Sequence, residues 1–528
     1  MRSQALELAA GQAWDLVVIG GGITGASVLR EAARSGLRSL LLEQRDFAWG
    51  ASSRSGKWVH GGLRYLQQGQ MNVTWHSVRQ REKLCHELTG LIDMQPMLWP
   101  LYKGQLADEV LIRAGLFVYD LIAGKRWRRS MPLAAVQQAF PDLHAPHLKG
   151  GICFYEGQTD DARMTLRVLQ EARKAGGVAL NYAPVVGLHR EGNLVRGVQV
   201  ATSSAQEPLR IQAKQVIAAT GAWSDGIRAH VAHDKNSRLR PLRGSHLVFD
   251  RVRLPIDATI VLKHPRDRRP GFIAPFQGRV IVGNTDLDHD QDMRKEASIT
   301  PWEVDYLLET VQHYFPALQI GRQDIIATFS GVRPVVDSGA SDPSAESRDH
   351  VVWHEDELIT IGGGKLTTFQ HIALDALQRA KAKFPQMKLD GPPGPILTQP
   401  NPSLGVPDSL SAAQWQRLQG RYGDAASAMV LAAEPGTLTL IPGTETLWAE
   451  LVWCAAHEDV QHLDDLLLRR TRIGILLAEG GRSYMPRIRE LTQPALGWAD
   501  DQWHAEEARY LEICRQHYSV PPVPGSDA

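Results

Sequence analysis

Along the first three quarters of the chain, apolar residues come in short unbroken runs that stop at glycine-rich turns. Asp15-Leu-Val-Val-Ile19 is such a run, and a run without alternation predicts a strand covered on both faces, as in a parallel sheet. It leads into Gly20-Gly-Gly-Ile-Thr-Gly25, then into a predicted helix over Ala26 to Ser35 that Gly36 stops, then into a second buried strand over Ser39 to Glu43. The theme recurs from Gly151 to Leu194: a predicted strand at Gly151 to Tyr155, a helix from Asp161 to Ala175, and a strand with a hairpin around Ala179 to Val200. Val216 to Gly221, Arg279 to Gly283 and Glu357 to Ile361 predict three further strands. Near residue 391 the texture changes. Gly391-Pro-Pro-Gly-Pro395, with Pro400, Pro402 and Pro407, suits neither helix nor sheet and predicts a linker over 391–410. Trp415 to Tyr518 is helical in pattern, most clearly over Leu447 to His457 and Asp459 to Leu477. The expectation is an α/β body over 1–390 and an all-helical C-terminal domain over 411–528.

Composition narrows the function classes. The 58 Lys plus Arg residues balance 58 Asp plus Glu, so no global field recruits nucleic acid. The four cysteines (Cys85, Cys153, Cys454 and Cys514) are far apart with no C-x-x-C pair, which reads as reduced thiols in a cytosolic compartment. No stretch reaches the ~18 apolar residues of a spanning helix, because the most apolar window, Val110 to Gly124, is broken by Arg113 and Asp120. The first thirteen residues lack the basic and apolar regions of a signal peptide, so the expected location is cytoplasmic, at most touching a membrane. Several motifs fail on spacing. Gly364-Lys365 lacks the first glycine of a phosphate-binding loop, and Lys365 is followed by Leu366. The alternation Asp286, Asp288, Asp290, Asp292 lacks the glycine and the bidentate Glu of a calcium loop. No H-E-x-x-H or G-x-S-x-G occurs, so neither metal catalysis nor a serine hydrolase is expected.

The glycine motif carries the first positive chemistry. Gly20 suits the tight turn, Gly22 lets a pyrophosphate approach the backbone, and Gly25 lets helix and strand pack closely. The amides opening the helix, at Ile23 and Thr24, then face the phosphates. Glu43, eighteen residues past Gly25 at the end of the second strand, is placed to accept both hydroxyls of an adenosine ribose. The motif alone does not separate FAD from NAD. Other segments add to it: Ser52-Ser-Arg-Ser-Gly-Lys-Trp-Val-His-Gly-Gly-Leu-Arg-Tyr65, Asn284-Thr-Asp286, Ser330-Gly-Val-Arg-Pro334 and Gly362-Gly-Gly-Lys-Leu-Thr-Thr368. Each is a polar, glycine-punctuated cluster at a predicted strand end, where ligands of open α/β sheets gather. A plain solvated loop needs none of His60, Arg64 and Tyr65 around a Gly-Gly turn.

In these segments, with Asp160-Asp-Ala-Arg163 and Gly244-Ser-His246, the chain resembles the FAD-dependent glycerol-3-phosphate dehydrogenases among the D-amino-acid-oxidase-like flavoproteins. The resemblance runs from Asp15 to about Phe369 and resumes at His457 to Val460 and Asp464 to Arg472. It departs at Gly56, Asn284, Gly362 and His350, positions that bear on fine substrate discrimination more than on the reaction. The resemblance implies a Rossmann-type FAD-binding domain built from segments near 14–66, 150–225 and 330–390, interleaved with an α+β substrate domain near 67–149 and 226–329. The implied reaction oxidises sn-glycerol 3-phosphate to dihydroxyacetone phosphate by hydride transfer to FAD N5, with electrons passed to a quinone. The alternative is a related flavin oxidase acting on another hydroxy acid or amine, with oxygen as acceptor.

The resemblance assigns His60 as the base that takes the hydroxyl proton and His246 as a substrate-positioning residue. Arg64, Tyr65, Arg333 and Arg348 line the implied substrate pocket, since Arg forks suit phosphate oxygens. Arg348 and Arg64 are expected at the phosphate and Arg333 near the reacting hydroxyl. Lys365, with Gly364, Leu366 and Thr367 at a helix start, is expected at the pyrimidine end of the flavin and close to substrate. Ser52, Ser53, Lys57, Thr220 and Gly221 are expected around the flavin and its phosphates, bound non-covalently. A quinone lives in a bilayer, and Val110 to Gly124, followed by Lys125, Arg126, Arg128 and Arg129 around Trp127, suits peripheral membrane contact. For the helical tail, homodimer contacts and membrane docking stay open as alternatives.

Overall fold

The computed structural model describes the chain apart from residues 1, 64–70, 145, 203–206, 232–237, 341–345, 347–348, 388, 390–393, 399–404 and 523–528, and apart from the side chains of 2–4. Two sheets build the body. In the first, Trp14–Ile19 lies between Ser39–Leu42 and Leu209–Ala218, with Leu358–Gly363 and Val178–Leu180 outside them, all parallel. His350–Glu355 closes one edge antiparallel, and the hairpin Val185–Glu191 and Leu194–Val200 extends Leu209–Ala218. The central strand is fully buried because helices cover one face and the hairpin and N-terminal helix the other. That two-sided burial explains the unbroken apolar run.

The second sheet is largely antiparallel and has ten strands among the described residues. Its long members are Ile92–Tyr102 paired with Leu148–Thr159, and Leu239–Asp250 paired with Ile325–Val336. One sequence expectation is corrected here. The segment expected as a strand at Gly151–Tyr155 is part of Leu148–Thr159 in this second sheet, not a repeat of the parallel unit. The helix after it, Asp161–Lys174, does return the chain to the parallel sheet through Val178–Leu180.

The C-terminal region is helical, and its apolar side packs on the back of the second sheet, where Trp415, Leu466, Ile473 and Tyr510 share one core with Val248, Ile281 and Phe329. The long helix expected over Asp459–Leu477 is broken. A π-helical turn covers Asp465–Arg470, Arg472 takes a left-handed conformation (φ 64°), and a short helix Ile473–Leu476 follows. Among the described residues, no helix is long and apolar enough to cross a membrane.

Candidate active site

A cavity of about 840 Å³ runs from the glycine turn of the first sheet to the face of the second. It is at the large end of the ~300–1,000 Å³ usual for small-molecule and cofactor sites.

At the glycine end the chain is shaped by backbone. Gly20 has φ 107°, and a Cβ there would sit 2.5 Å from the Ala219 carbonyl oxygen. A Cβ on Gly25 would lie 1.9 Å from the Gly20 oxygen, so this glycine sets how closely strand and helix meet. The helix Ile23–Arg34 starts after Gly22 with no side-chain cap from that residue, and the Ile23 N–H donates to Ser52 Oγ at 2.9 Å. Glu43 lines the cavity and accepts the Gly21 N–H at 2.7 Å and the Arg45 N–H at 2.8 Å. A carboxylate offers about four acceptor sites, so two remain for ligand hydroxyls. Burial pushes the Glu43 carboxyl up, and the Arg45 and Gly21 N–H groups work against that by stabilising the carboxylate. Thr24, Thr220 and Gly221 complete this end. A helix start open to an anion, a carboxylate for a ribose and an elongated cavity fit a dinucleotide.

At the other end side chains dominate. His60 lines the cavity, and its backbone is clamped by Thr367, whose Oγ1 accepts the His60 N–H at 3.2 Å and donates to the His60 carbonyl at 3.1 Å. Burial, helped by the charges of Lys365 and Arg81, lowers the imidazole pKa to about 4, so His60 is neutral at ordinary pH. The Gly61 N–H next to it points to Glu156 Oε2 at 3.4 Å, and that carboxylate is held by Arg81 at 2.9 Å and the Tyr119 hydroxyl at 3.1 Å. Arg333 lines the cavity and donates to Asp286 Oδ1 at 2.8 Å. Arg269 also lines it and pairs with the other Asp286 oxygen at 3.2 Å. Two guanidinium groups on one buried carboxylate leave a net positive wall, suited to an anionic substrate. Lys365 reaches Ser77 Oγ at 2.8 Å, with Gly364, Leu366 and Thr367 also in the wall.

Some expected residues lie elsewhere. Arg64, Tyr65 and Arg348 fall outside the described residues. Lys57 is corrected: its ammonium is fully buried behind the wall, 2.8 Å from Asp161, and donates to the Ser53 carbonyl at 2.8 Å. Burial, with Arg472 nearby, lowers it to about 8. Ser53 is corrected likewise, since it is buried and holds those donors by its carbonyl oxygen. His246 does not reach the cavity surface either. It is fully buried, stacked on Phe329 with ring centroids 4.5 Å apart, and neither ring nitrogen has a well-formed hydrogen bond. Burial, then the charges of Arg333 and Lys57, hold it well below the usual imidazole range. Sequence reasoning missed Arg269 and Glu156. Arg269 ends a run, Arg266-Asp-Arg-Arg269, that reads as a solvated turn, and only the hairpin of Pro270–Phe276 with Arg279–Gly283 carries it towards Asp286.

The glycine turn, the ribose carboxylate and the histidine–arginine end describe a flavin-type oxidoreductase, and residues 15–368 match the family model for FAD dependent oxidoreductases. Residues 359–503 match the model for the C-terminal domain of alpha-glycerophosphate oxidase. A glycerol-3-phosphate dehydrogenase of Synechocystis sp. is 32% identical over 96% of this chain and 97% of its own length. An aerobic glycerol-3-phosphate dehydrogenase of Staphylococcus haemolyticus is also 32% identical, over 87% of this chain and 86% of its own. In fold, the chain matches the crystal structure of a glycerol-3-phosphate dehydrogenase from Bacillus halodurans complexed with FAD, with a TM-score of 0.77 at 24% identity over 100% of this chain and 99% of that one. The chain belongs to the FAD-dependent glycerol-3-phosphate dehydrogenase family. It is an enzyme with FAD as cofactor, and the resemblance read from its motifs holds.

Proposed function

We propose that the chain oxidises sn-glycerol 3-phosphate to dihydroxyacetone phosphate and delivers the electrons to a membrane quinone. The observation that carries this reading is a neutral His60 and a carboxylate-anchored Arg333 lining one cavity whose far end is the glycine helix. When bound, the flavin supplies the acceptor for the hydride leaving the alcohol carbon. The chain's own residues do the rest. His60 takes the hydroxyl proton, and Thr367 fixes its backbone so that the ring does not drift. Arg333, held by Asp286, grips the substrate oxygen both as the alcohol and as the ketone it becomes. Arg64, Tyr65 and Arg348 lie outside the described residues and are assigned to the phosphate from the sequence motifs alone; Lys365, in the cavity wall, would supply positive charge to a bound flavin. His246 acts from behind the wall, by packing. The test is anaerobic addition of glycerol 3-phosphate to the flavin-loaded protein. Bleaching of the visible flavin band is expected, and no bleaching with this substrate while another alcohol or amine bleaches it defeats the reading. Oxygen as acceptor is the second reading, favoured by the match of residues 359–503 to an oxidase-type domain. Stoichiometric peroxide release in air supports it over the quinone.

Delivery to a quinone calls for peripheral contact with the inner face of the cytoplasmic membrane. What supports this is the helix Leu106–Ala123, apolar on both sides. It buries Ile112, Leu116, Tyr119 and Ile122, yet leaves Leu106, Val110, Phe117 and Leu121 more than half exposed. Met71 and Trp75, exposed on the adjoining helix Met71–Glu87, extend the patch. Lys125 is paired with Glu82 at 3.5 Å and Arg128 with Asp120 at 3.4 Å, so the attraction is smaller than four cations would give. At ~1 kcal/mol per free basic residue, about 2 kcal/mol remains for anionic lipid, added to the apolar contact. Sedimentation with anionic liposomes should fall with salt, and should fall further when Phe117 and Leu121 are changed to Ser. A wild-type protein that stays in the supernatant at low salt defeats the docking.

A further inference from the structure

Three arginines of the helical tail, none of them lining the cavity, reach the loops around the glycine turn. Arg469, Arg470 and Arg472 are each at most 2% exposed. Their partners are not in the tail alone. Arg469 and Arg470 both grip Asp46, with Arg470 Nη2 donating to Asp46 Oδ1 at 2.8 Å. Asp46 stands three residues past Glu43, in the loop that lies on the glycine turn through the Ala48 N–H to Gly21 oxygen bond of 3.0 Å. Arg472 donates to Asp160 at 3.0 Å, to Asp161, and to the Ser53 carbonyl at 2.9 Å. Ser53 follows Ser52, whose hydroxyl holds the first amide of the glycine helix. The left-handed backbone at Arg472, unusual for a long side chain, accompanies these contacts and a further one to the Leu468 carbonyl at 2.8 Å.

We infer that Arg470 and Arg472 of the tail are positioning residues of the flavin site: they fix Glu43 by gripping Asp46, three residues on, and Ser52 by gripping the carbonyl of Ser53 next to it. A guanidinium is suited to this because its planar fork satisfies several fixed acceptors at once, which an ammonium does not reproduce. Buried pairs of this kind add little net stability over apolar packing, but they hold one geometry. The inference rests on FAD occupying the cavity.

The experiment measures FAD affinity of the flavin-free full-length chain by quenching of flavin fluorescence, together with its melting temperature. Arg472→Lys keeps the charge and loses the fork. Arg167→Lys is the comparison: Arg167 is equally buried and also ties body to tail, through the Gly420 carbonyl at 3.3 Å, but touches nothing between residues 43 and 55. Arg472→Lys should raise the FAD dissociation constant about tenfold, the order of one lost charge-assisted hydrogen bond, and Arg167→Lys less than about twofold. Amide exchange in the flavin-free chain should quicken at residues 44–55 in Arg472→Lys alone. Asp46→Asn, which keeps volume and removes the charge, should behave as Arg472→Lys does and serves if that variant does not fold. Equal loss of affinity in both lysine variants overturns the inference, as does unchanged affinity in a folded Arg472→Lys. A wild-type chain that binds no FAD overturns the reading of the cavity itself, a result distinct from either.

Discussion

The two ends of the cavity are built by different means. At the dinucleotide end the contacts come largely from backbone and from near neighbours in sequence: residues 20–25 and Glu43 of one strand–helix–strand unit and Ser52 ten residues past its last strand, with Thr220 and Gly221 added at the end of the adjacent parallel strand. At the substrate end they come from side chains on strands far apart in the chain. Arg333 and Asp286 meet because Ile325–Val336 pairs with Leu239–Asp250, which also pairs with Leu287–Asp288. Binding a pyrophosphate needs amides and space, which a fixed turn supplies. Turning over an alcohol needs a base and cations at chosen points, which only tertiary pairing supplies. Changes at one end should therefore remove flavin, and changes at the other should leave flavin in place and remove turnover.

The largest expected effect lies at the glycine end. Gly22→Val places a branched side chain where even a Cβ would be 3.1 Å from Ser52 Oγ, so the purified protein should be colourless, with its flavin-free melting temperature near that of wild type. Gly25→Ala should fail differently, with loss of soluble protein, since its Cβ would meet backbone that cannot withdraw. Next comes His60→Gln, which should slow flavin reduction by roughly 10²–10⁴-fold, the usual worth of a positioned base, at one FAD per chain. Loss of flavin from this variant would break the division between the ends. Smaller again, Arg333→Ala should raise KM for glycerol 3-phosphate by about tenfold, more than it lowers kcat, if its grip is made in both ground and transition states. A pure kcat loss would instead place Arg333 solely at the developing oxyanion.

The same division explains what could be read from the sequence. The first strand, the glycine turn and Glu43 were legible because their spacing is local and each residue type has one physical job there. The motifs also led to the right family. Arg269 and Glu156 were not legible: one sits in a charged turn, the other in an apolar strand, and each becomes part of the site only by packing. Lys57 and Ser53 were misplaced because a small polar run after a strand does not reveal which face each residue takes, and Asp161, one hundred and four residues on, claims the ammonium. In the tail, helical spacing runs straight through Thr471 and Arg472, but the contacts of Arg472 with Asp160, Asp161 and Ser53 break the helix there.

The smallest effect tests the substrate end through pH. His60 is held at about 4 by burial and by the charges of Lys365 and Arg81, well under its usual 6.5. A base works when unprotonated, so flavin reduction should hold level from neutral pH downward and fall only as pH approaches about 4. Lys365→Met removes one of the two charges, so the midpoint of that fall should move up, by about half a pH unit, whatever it does to the absolute rate. A midpoint that moves down, or a wild-type rate that already falls through 6.5, would mean that the titrating group is not His60 in this environment. The same depression has a consequence for the fold. Between about 6.5 and about 4 the unfolded chain binds a proton that folded His60 refuses, so the contribution of His60 to stability is complete above 6.5 and is lost as pH falls to 4. His60→Gln removes this dependence, so the melting temperature of wild type should fall relative to that of the variant as pH goes from 6.5 to 4.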